Sequence, residues 1–296
     1  MVSVPTADTG AALPVQGTSW RFRAGELIAP GRHALKLLGG GDRYEAYVAW
    51  DERLHLPIVA KVLRPHLVGD ANARTAIAAE AEALTELQHP VLVRSFGAVL
   101  DGARPHVVLE FLDGPRLSTL IRKFGPLAAE QLVPLARRMC SALAFMAGAG
   151  WVHLDVKPRN IVMTSSPRLI DLSVARRIET ARRARRPVGT DAYMAPEQCD
   201  PARFSTIGPA ADVWGLGATL FEAVSGRQAF PADGGPRFPQ LRSAAPRLPD
   251  KVPPLLEMAI RACLVDDPAL RPSAAELDDL TEPMADWSAR AVRRLR

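Results

Sequence analysis

Between residues 33 and 111 apolar residues come in short runs separated by turns, at 34–38, 46–50, 58–63, 92–99 and 107–111. Runs of this kind predict β-strands. One longer stretch, 71–88, is rich in Ala, Glu and Leu and is closed by Pro90, which predicts a helix. Five strands and one helix are the simplest assembly for this half. Beyond Asp113 the pattern changes. Helix-forming residues extend over several turns at 127–148 and 210–224, and over shorter spans at 253–264 and 273–280. Ser273 stands three residues before Glu276, a capping-box start. Residues 229–253 are rich in Pro and Gly and predict a long loop. Residues 1–19 show no periodicity and are expected to be disordered. The basic tail, 283–296, either forms a terminal helix or frays. No internal repeat is visible.

Composition narrows the class. A chain of 296 residues accommodates one two-lobed domain or two small ones. With 48% hydrophobic and 23% charged residues it reads as globular. No apolar stretch approaches the ~18–20 residues of a membrane span, and residues 1–17 lack the basic start and apolar core of a signal peptide. The cytoplasm is the expected compartment. Three widely spaced cysteines, Cys140, Cys199 and Cys263, fit neither a disulfide framework nor a zinc site, and read as buried thiols. The net charge of +5 is mild, and it is carried by 32 Arg against five Lys. Two of those lysines, Lys61 and Lys157, stand where phosphate chemistry calls for an ammonium.

Four segments carry that chemistry. Leu38-Gly-Gly-Gly-Asp-Arg-Tyr-Glu-Ala46 is a glycine turn between two predicted strands. It suits either a plain hairpin or a loop whose N–H groups approach phosphates. Ile58-Val-Ala-Lys61 lies on the next strand, and Glu80 lies on the predicted helix. The lysine can reach α- and β-phosphates while the glutamate holds it, although a surface ion pair has the same residues. Val152-His-Leu-Asp-Val-Lys-Pro-Arg-Asn160 is the strongest signal. Asp155 can orient or deprotonate an attacking hydroxyl, Lys157 can neutralise a transferring phosphoryl, and the Asn160 carbonyl can ligate a hard cation. Finally, Leu169-Ile-Asp-Leu-Ser173 sets Asp171 at the end of a short apolar strand, where it can chelate Mg²⁺ or simply end a turn.

In this order the segments resemble the signature set of eukaryotic-type protein kinases, and among them the bacterial Ser/Thr kinases. Gly189-Thr-Asp-Ala-Tyr-Met-Ala-Pro-Glu197 is similar to the end of an activation segment, Asp212-Val-Trp-Gly-Leu-Gly217 to the start of the central helix, and Arg271 to the arginine that pairs with the glutamate equivalent to Glu197. The resemblance covers about residues 21–282. It implies an α+β, two-lobed fold, with a small β-rich N-lobe holding one major helix (about 20–112) and a larger, mainly helical C-lobe (about 113–282). It also implies ATP held by Gly39, Gly40, Gly41, Ala46, Val59, Lys61, Leu109, Glu110, Leu112 and Val162. Mg²⁺, or Mn²⁺ in its place, is expected on Asn160 and Asp171. Asp155, Lys157, Lys61 and Glu80 are the expected catalytic set, and the partner is a protein substrate. A homodimer is compatible with the resemblance; a nucleic-acid or membrane partner is not expected.

The chain departs from the pattern at several points. Tyr44 replaces the third glycine. Ala46 and Val59 exchange a large and a small residue where the adenine would pack, which conserves volume. Leu154 replaces the arginine that holds a phosphorylated activation loop in the family. Between Asp171 and Gly189 the only hydroxyls are Ser173 and Thr180, so activity is expected not to need loop phosphorylation. Asp171-Leu-Ser replaces Asp-Phe-Gly, and Ser173 is expected to stiffen the metal loop. Arg176, Arg177, Arg182, Arg183, Arg185 and Arg186 form either a solvated face or a surface for an acidic partner. A Ser/Thr kinase is the leading expectation. A nucleotide-binding pseudokinase acting as a scaffold or allosteric partner is the alternative.

Overall fold

The structure, a computed structural model, describes residues 17–204, 207–232 and 235–294, with side chains described as far as Met284. The segment expected to be disordered, 1–19, lies outside the described residues except for its last three. The chain divides into two compact units. The smaller takes the described residues up to Ala81 together with Ser95–Phe111, and the larger takes Glu82–Arg94 with the residues from Leu112 on.

The smaller unit is built on one antiparallel sheet of β1 (Leu27–Ala29), β2 (Arg32–Gly40), β3 (Tyr44–Asp51), β4 (Leu56–Leu63), β5 (Ser95–Val99) and β6 (His106–Glu110), in the order β1-β2-β3-β4-β6-β5. Period-two alternation sorts the residues of the central strands onto two faces. One face carries Tyr47, Ala49, Ile58, Ala60, Val62 and Val108, which form the core with Trp20 and Phe22 packed against it. The other carries Ala46, Val59 and Lys61, which stay half-exposed. The sheet has six strands rather than the five expected, because the three-residue β1 is too short to stand out in sequence. The run at 92–99 is not one strand. Only Ser95–Val99 joins this sheet, while Leu92 bridges Leu169 in the larger unit.

The helix α1 (Ala71–Glu86) matches its sequence signal, and Asp70 Oδ1 accepts the Ala73 N–H at 2.7 Å at its start. In the larger unit follow α2 (Leu117–Phe124), α3 (Ala129–Gly148), β7 (Trp151–Val152), β8 (Ile161–Val162), β9 (Arg168–Leu169), β10 (Arg176–Arg177), α4 (Ile178–Arg182), α5 (Pro196–Cys199), α6 (Pro201–Phe204), α7 (Pro209–Ser225), α8 (Pro254–Cys263) and α9 (Ala274–Arg294). α7 is enclosed along almost its whole length and serves as the unit's axis. The expected capping box closes the start of α9: Ser273 N–H donates to Glu276 Oε2 at 2.7 Å and Glu276 N–H to Ser273 Oγ at 3.2 Å. That helix continues through Pro283, and Arg137 of α3 grips Asp278 on it. All three cysteines are buried and unbridged, and burial pushes the Cys199 and Cys263 thiols to about 12, so they stay protonated and inert. Among the described residues no helix is long and apolar enough to cross a membrane.

Candidate active site

In the smaller unit, the hairpin joining β2 and β3 closes on Gly40 opposite Glu45, with the Gly41 N–H donating to the Tyr44 carbonyl at 3.1 Å. A Cβ on Gly40 would lie 2.4 Å from that carbonyl, so the turn itself demands glycine there. Gly41 has no such neighbour within 4 Å, and nothing in the chain explains its missing side chain. Lys61 faces the same side of the sheet as Ala46 and Val59, and Ala46 is its cross-strand partner. Ala46 and Val59 are diagonal neighbours on that face, so their size exchange falls on one patch of surface. Val107 and Leu109 stand opposite Lys61 and Val59 on β6, and Glu110 ends that strand opposite Ile58.

Lys61 Nζ donates to Glu80 Oε1 at 2.7 Å, and the glutamate side chain is 1% exposed. The pair is held in little water, so its Coulomb attraction is stronger than that of a surface pair. The Tyr44 ring lies 4.7 Å from the ammonium, a cation–π contact made by the residue standing in place of the third glycine. Behind it, the buried Glu45 carboxylate accepts from the Trp20 N–H, the Tyr47 hydroxyl and Arg64, which pins the start of the described chain to β3.

In the larger unit, residues 153–160 leave β7 and form a turn whose backbone is fixed from below by α7. Asp212, near the start of α7, accepts the N–H groups of His153 and Leu154, both at 2.7 Å, and burial raises its carboxyl above the usual range. His153 is fully enclosed. Its Nδ1 accepts the Asp155 N–H at 3.2 Å, so its Nε2 carries the proton and donates to the Ile170 carbonyl at 3.3 Å. The imidazole thus ties the Asp155 turn to the strand end that presents Asp171.

Asp155 is the centre of a closed network. Its Oδ2 accepts from Lys157 Nζ at 2.7 Å and from Asn160 Nδ2 at 3.0 Å, and its Oδ1 accepts from the Thr190 hydroxyl at 2.6 Å. Lys157 also donates to Thr190 Oγ1 at 2.5 Å. The Asn160 amide nitrogen donates as well to the Asp155 carbonyl at 2.9 Å, which leaves its carbonyl oxygen as the end suited to a cation. Asp171 adds a carboxylate. One carboxylate and one amide oxygen form a hard donor set that fits Mg²⁺, which keeps its remaining positions for water and substrate phosphates. Among the described residues no cluster of three or more His, Cys, Asp or Glu could hold a metal without such help. Val162 is buried on β8, and Leu112 is half-buried at the start of this unit.

Two residues here have left-handed backbones: Leu154 at φ +64 and Asp171 at φ +71. Aspartate tolerates that region, whereas a buried leucine is strained there. The expectation for the metal loop therefore shifts by two positions. Its left-handed residue is Asp171 and not Ser173, so this conformation asks nothing of glycine at 173. Leu172 is 1% exposed and fills the apolar position expected of it.

The segment after Asp171 is ordered by contacts that sequence reading did not anticipate. Gln198, 1% exposed, donates through Nε2 to the carbonyls of Leu154 at 2.9 Å and Val188 at 2.8 Å. Gln240, in the loop after α7, donates to the carbonyls of Asp191 and Met194 at 2.7 and 2.9 Å, and Arg237 grips the Asp191 carboxylate. The Tyr193 hydroxyl donates to Glu222. Arg271 and Glu197 form a bidentate pair, 2.6 and 2.9 Å, with neither side chain exposed. Of the arginine run, Arg177 is engaged internally, donating to Glu86 and lying 4.7 Å from the Trp151 ring, and Arg176 is half-buried on β10. The exposed members are Arg182, Arg183, Arg185 and Arg186, besides Arg177.

The smaller unit thus carries a glycine hairpin beside a strand lysine held by a helix glutamate, and the larger an acid–lysine–asparagine turn followed by a second acid; each is an element of the protein kinase class. Comparison with known proteins agrees. Residues 32–280 match the model of the protein kinase domain, and the chain belongs to that family. It is 35% identical over 225 residues to the probable serine/threonine-protein kinase PkwA of Thermomonospora curvata, covering 75% of this chain and 30% of that one. It is 36% identical over 230 residues to the serine/threonine-protein kinase PkaA of Streptomyces coelicolor, covering 74% and 41%. The match to the serine/threonine-protein kinase PknB of Mycolicibacterium smegmatis is 29% over 270 residues, 87% of this chain and 42% of that one. The chain spans less than half the length of these relatives.

Proposed function

We propose that this chain is a Ser/Thr protein kinase that moves the γ-phosphoryl of Mg·ATP onto a protein hydroxyl. The observation that carries this reading is the network at Asp155. Lys157, Asn160 and Thr190 hold both carboxylate oxygens in place, so the acid is oriented before any acceptor arrives. Asp155 then orients the acceptor hydroxyl and takes its proton. Lys157 stands beside it to balance charge on the transferring group. Lys61, steadied by Glu80, holds the α- and β-phosphates, and the glycine hairpin of Gly39, Gly40 and Gly41, free of side chains, covers them. Asp171 and the Asn160 carbonyl hold the Mg²⁺, which supplies neutralisation of phosphate charge. Ala46, Val59, Leu109 and Val162 supply apolar contact for the adenine, with backbone groups of Glu110 and Leu112 bonding its edge.

The same reading makes loop phosphorylation dispensable. The segment from Asp171 to Glu197 is tied down by the chain's own side chains Arg177, Gln198, Arg237, Gln240 and Tyr193. Leu154, where an arginine would read such a phosphate, is held instead by Asp212 and Gln198. The exposed arginines at 182–186 favour an acidic partner, and the cytoplasm, where Mg·ATP is available, is the compartment assigned.

A second reading, a nucleotide-binding scaffold without turnover, is favoured by the Tyr44 ring lying over Lys61. Transfer of labelled γ-phosphate from Mg·ATP to a generic protein substrate and to the chain itself separates the two. Activity lost in Asp155→Asn with ATP binding retained is the expected result. Absence of transfer by the wild type, with Mg²⁺-dependent nucleotide binding intact, would establish the scaffold.

A further inference from the structure

Several arginines drawn out of water in this chain bond a carboxylate, Arg32 to Asp51, Arg64 to Glu45, Arg137 to Asp278 and Arg271 to Glu197, and others, Arg74 and Arg104, bond backbone carbonyls. Arg116 and Arg159 are different. Arg116 lies just before α2, where its backbone bridges Val162 and the preceding Pro115 carbonyl accepts the Met163 N–H at 2.8 Å. Arg159 is the exposed middle residue of the turn Pro158–Asn160, and α2 packs against that turn. Among the described residues neither guanidinium makes a hydrogen bond or an ion pair. Burial and the neighbouring charge of Arg159 both act against the protonated form of Arg116, while Asp171 acts for it.

The electrostatic balance of this corner changes when the site is loaded. Asp171 is the one carboxylate that offsets Arg116, and in the kinase reading its charge is committed to Mg²⁺. The half-buried Arg116 and the exposed Arg159 near it then carry two positive charges that no other carboxylate among the described residues bonds. Keeping like charges together in such a place is unfavourable unless a ligand supplies the opposite charge. The place also matters. Arg159 is adjacent to Asn160, two residues from Lys157 and four from Asp155, on the turn that receives the acceptor hydroxyl. A planar, permanently charged fork is suited to carboxylate or phosphate oxygens.

We propose that Arg116 and Arg159 form an anion subsite for the protein substrate, which binds a carboxylate or phosphate side chain close to the acceptor residue. The kinase would thereby select acidic or already phosphorylated segments. This deepens the Ser/Thr kinase reading and rests on it.

The test is a set of peptides with one Ser or Thr acceptor, in which each flanking position is in turn Ala, Glu, phosphoserine or Arg. At one flanking position, Glu or phosphoserine should raise kcat/KM about tenfold over Ala, the size of one charge-assisted contact. Arg159→Glu should abolish that preference and favour Arg at the same position, and Arg159→Lys should restore part of it. Phosphoserine far above Glu would identify phosphate as the ligand, and equal values a carboxylate. A wild type indifferent to flanking charge overturns the subsite. So does a rise in KM for ATP in Arg116→Gln or Arg159→Glu with the peptide preference intact, which would give the pair to the nucleotide. A wild type that phosphorylates no peptide refutes the kinase reading instead. Fluorescence anisotropy of a labelled phosphopeptide then decides the subsite alone: binding weakened by Arg159→Glu sustains it, and charge-independent binding overturns it.

Discussion

Gln198 offers a direct test of the proposal that the catalytic turn needs no loop phosphate to hold it. Its amide joins three backbone groups, donating to the carbonyls of Leu154 and Val188 and accepting the Ala195 N–H at 3.0 Å. Gln198→Leu keeps most of the volume and removes all three bonds in an enclosed site. At a net ~0.5–1.5 kcal/mol each, the loss is about 1.5–4.5 kcal/mol. Leu154 makes that loss matter for rate. Its left-handed backbone carries roughly 1–2 kcal/mol of strain, and only Asp212 on its N–H and Gln198 on its carbonyl are seen to restrain it. Releasing one side lets the turn relax at the residue next to Asp155. If about 1.4 kcal/mol of the loss falls on placement of Asp155 in the transition state, kcat drops about tenfold. Steady-state phosphate transfer with saturating ATP measures this, and KM for ATP should move little. The paired control is Ser173→Ala with Thr180→Ala, which removes both hydroxyls between Asp171 and Gly189 and should keep wild-type kcat. Full activity in Gln198→Leu alongside collapse of the double alanine variant would refute the reasoning, because a loop phosphate would then be the restraint.

Two further predictions concern stability. Arg271→Met strands the Glu197 carboxylate in an unexposed site and should cost about 3–5 kcal/mol, read by denaturant unfolding; a loss below about 1 kcal/mol would mean that the pair is easily replaced. Burial, with a smaller push from Arg32, holds the His106 imidazole below its ordinary 6.5, and the Arg104 carbonyl opposes this only in part. With the folded value lower than the unfolded one, the unfolded chain takes up the extra proton as pH falls through that range. Stability from this group is therefore lost on acidification, and His106→Gln should flatten the dependence of melting temperature on pH below about 6.5; an unchanged slope would show that other groups set it.

The parts of this molecule that sequence makes legible are those whose signal is local. Asp155, Lys157 and Asn160 lie within six positions of each other and bond one another in the fold, with Thr190 joining from farther along the chain. The strands around Lys61 alternate with a period of two, so the same pattern that buries Tyr47, Ala49 and Ile58 leaves Ala46, Val59 and Lys61 on the opposite face. The eight-residue α2 gives little signal in sequence, since its buried residues are only Leu117 and Ile121, four apart. The run at 92–99 misled because one apolar stretch serves two units, and apolarity does not say where a chain changes partners.

What stayed hidden are single polar side chains whose partners lie far along the chain. Gln198 reaches Leu154 across 44 positions and Gln240 reaches Met194 across 46. A lone glutamine has no periodicity, and its meaning depends on an unpaired carbonyl that only the fold creates. Leu154 shows how the two kinds of signal combine. Sequence reveals that a cation is missing beside Asp155, and from that alone either an inactive scaffold or a kinase freed from loop phosphorylation follows. The strained backbone at Leu154 is restrained on both sides by neutral or buried groups already in place, so the turn keeps its form without the missing cation. In the proposed kinase reading Gln198 therefore bears on regulation as well as on stability, because its bond to the Leu154 carbonyl would restrain the turn that a loop phosphate would otherwise restrain.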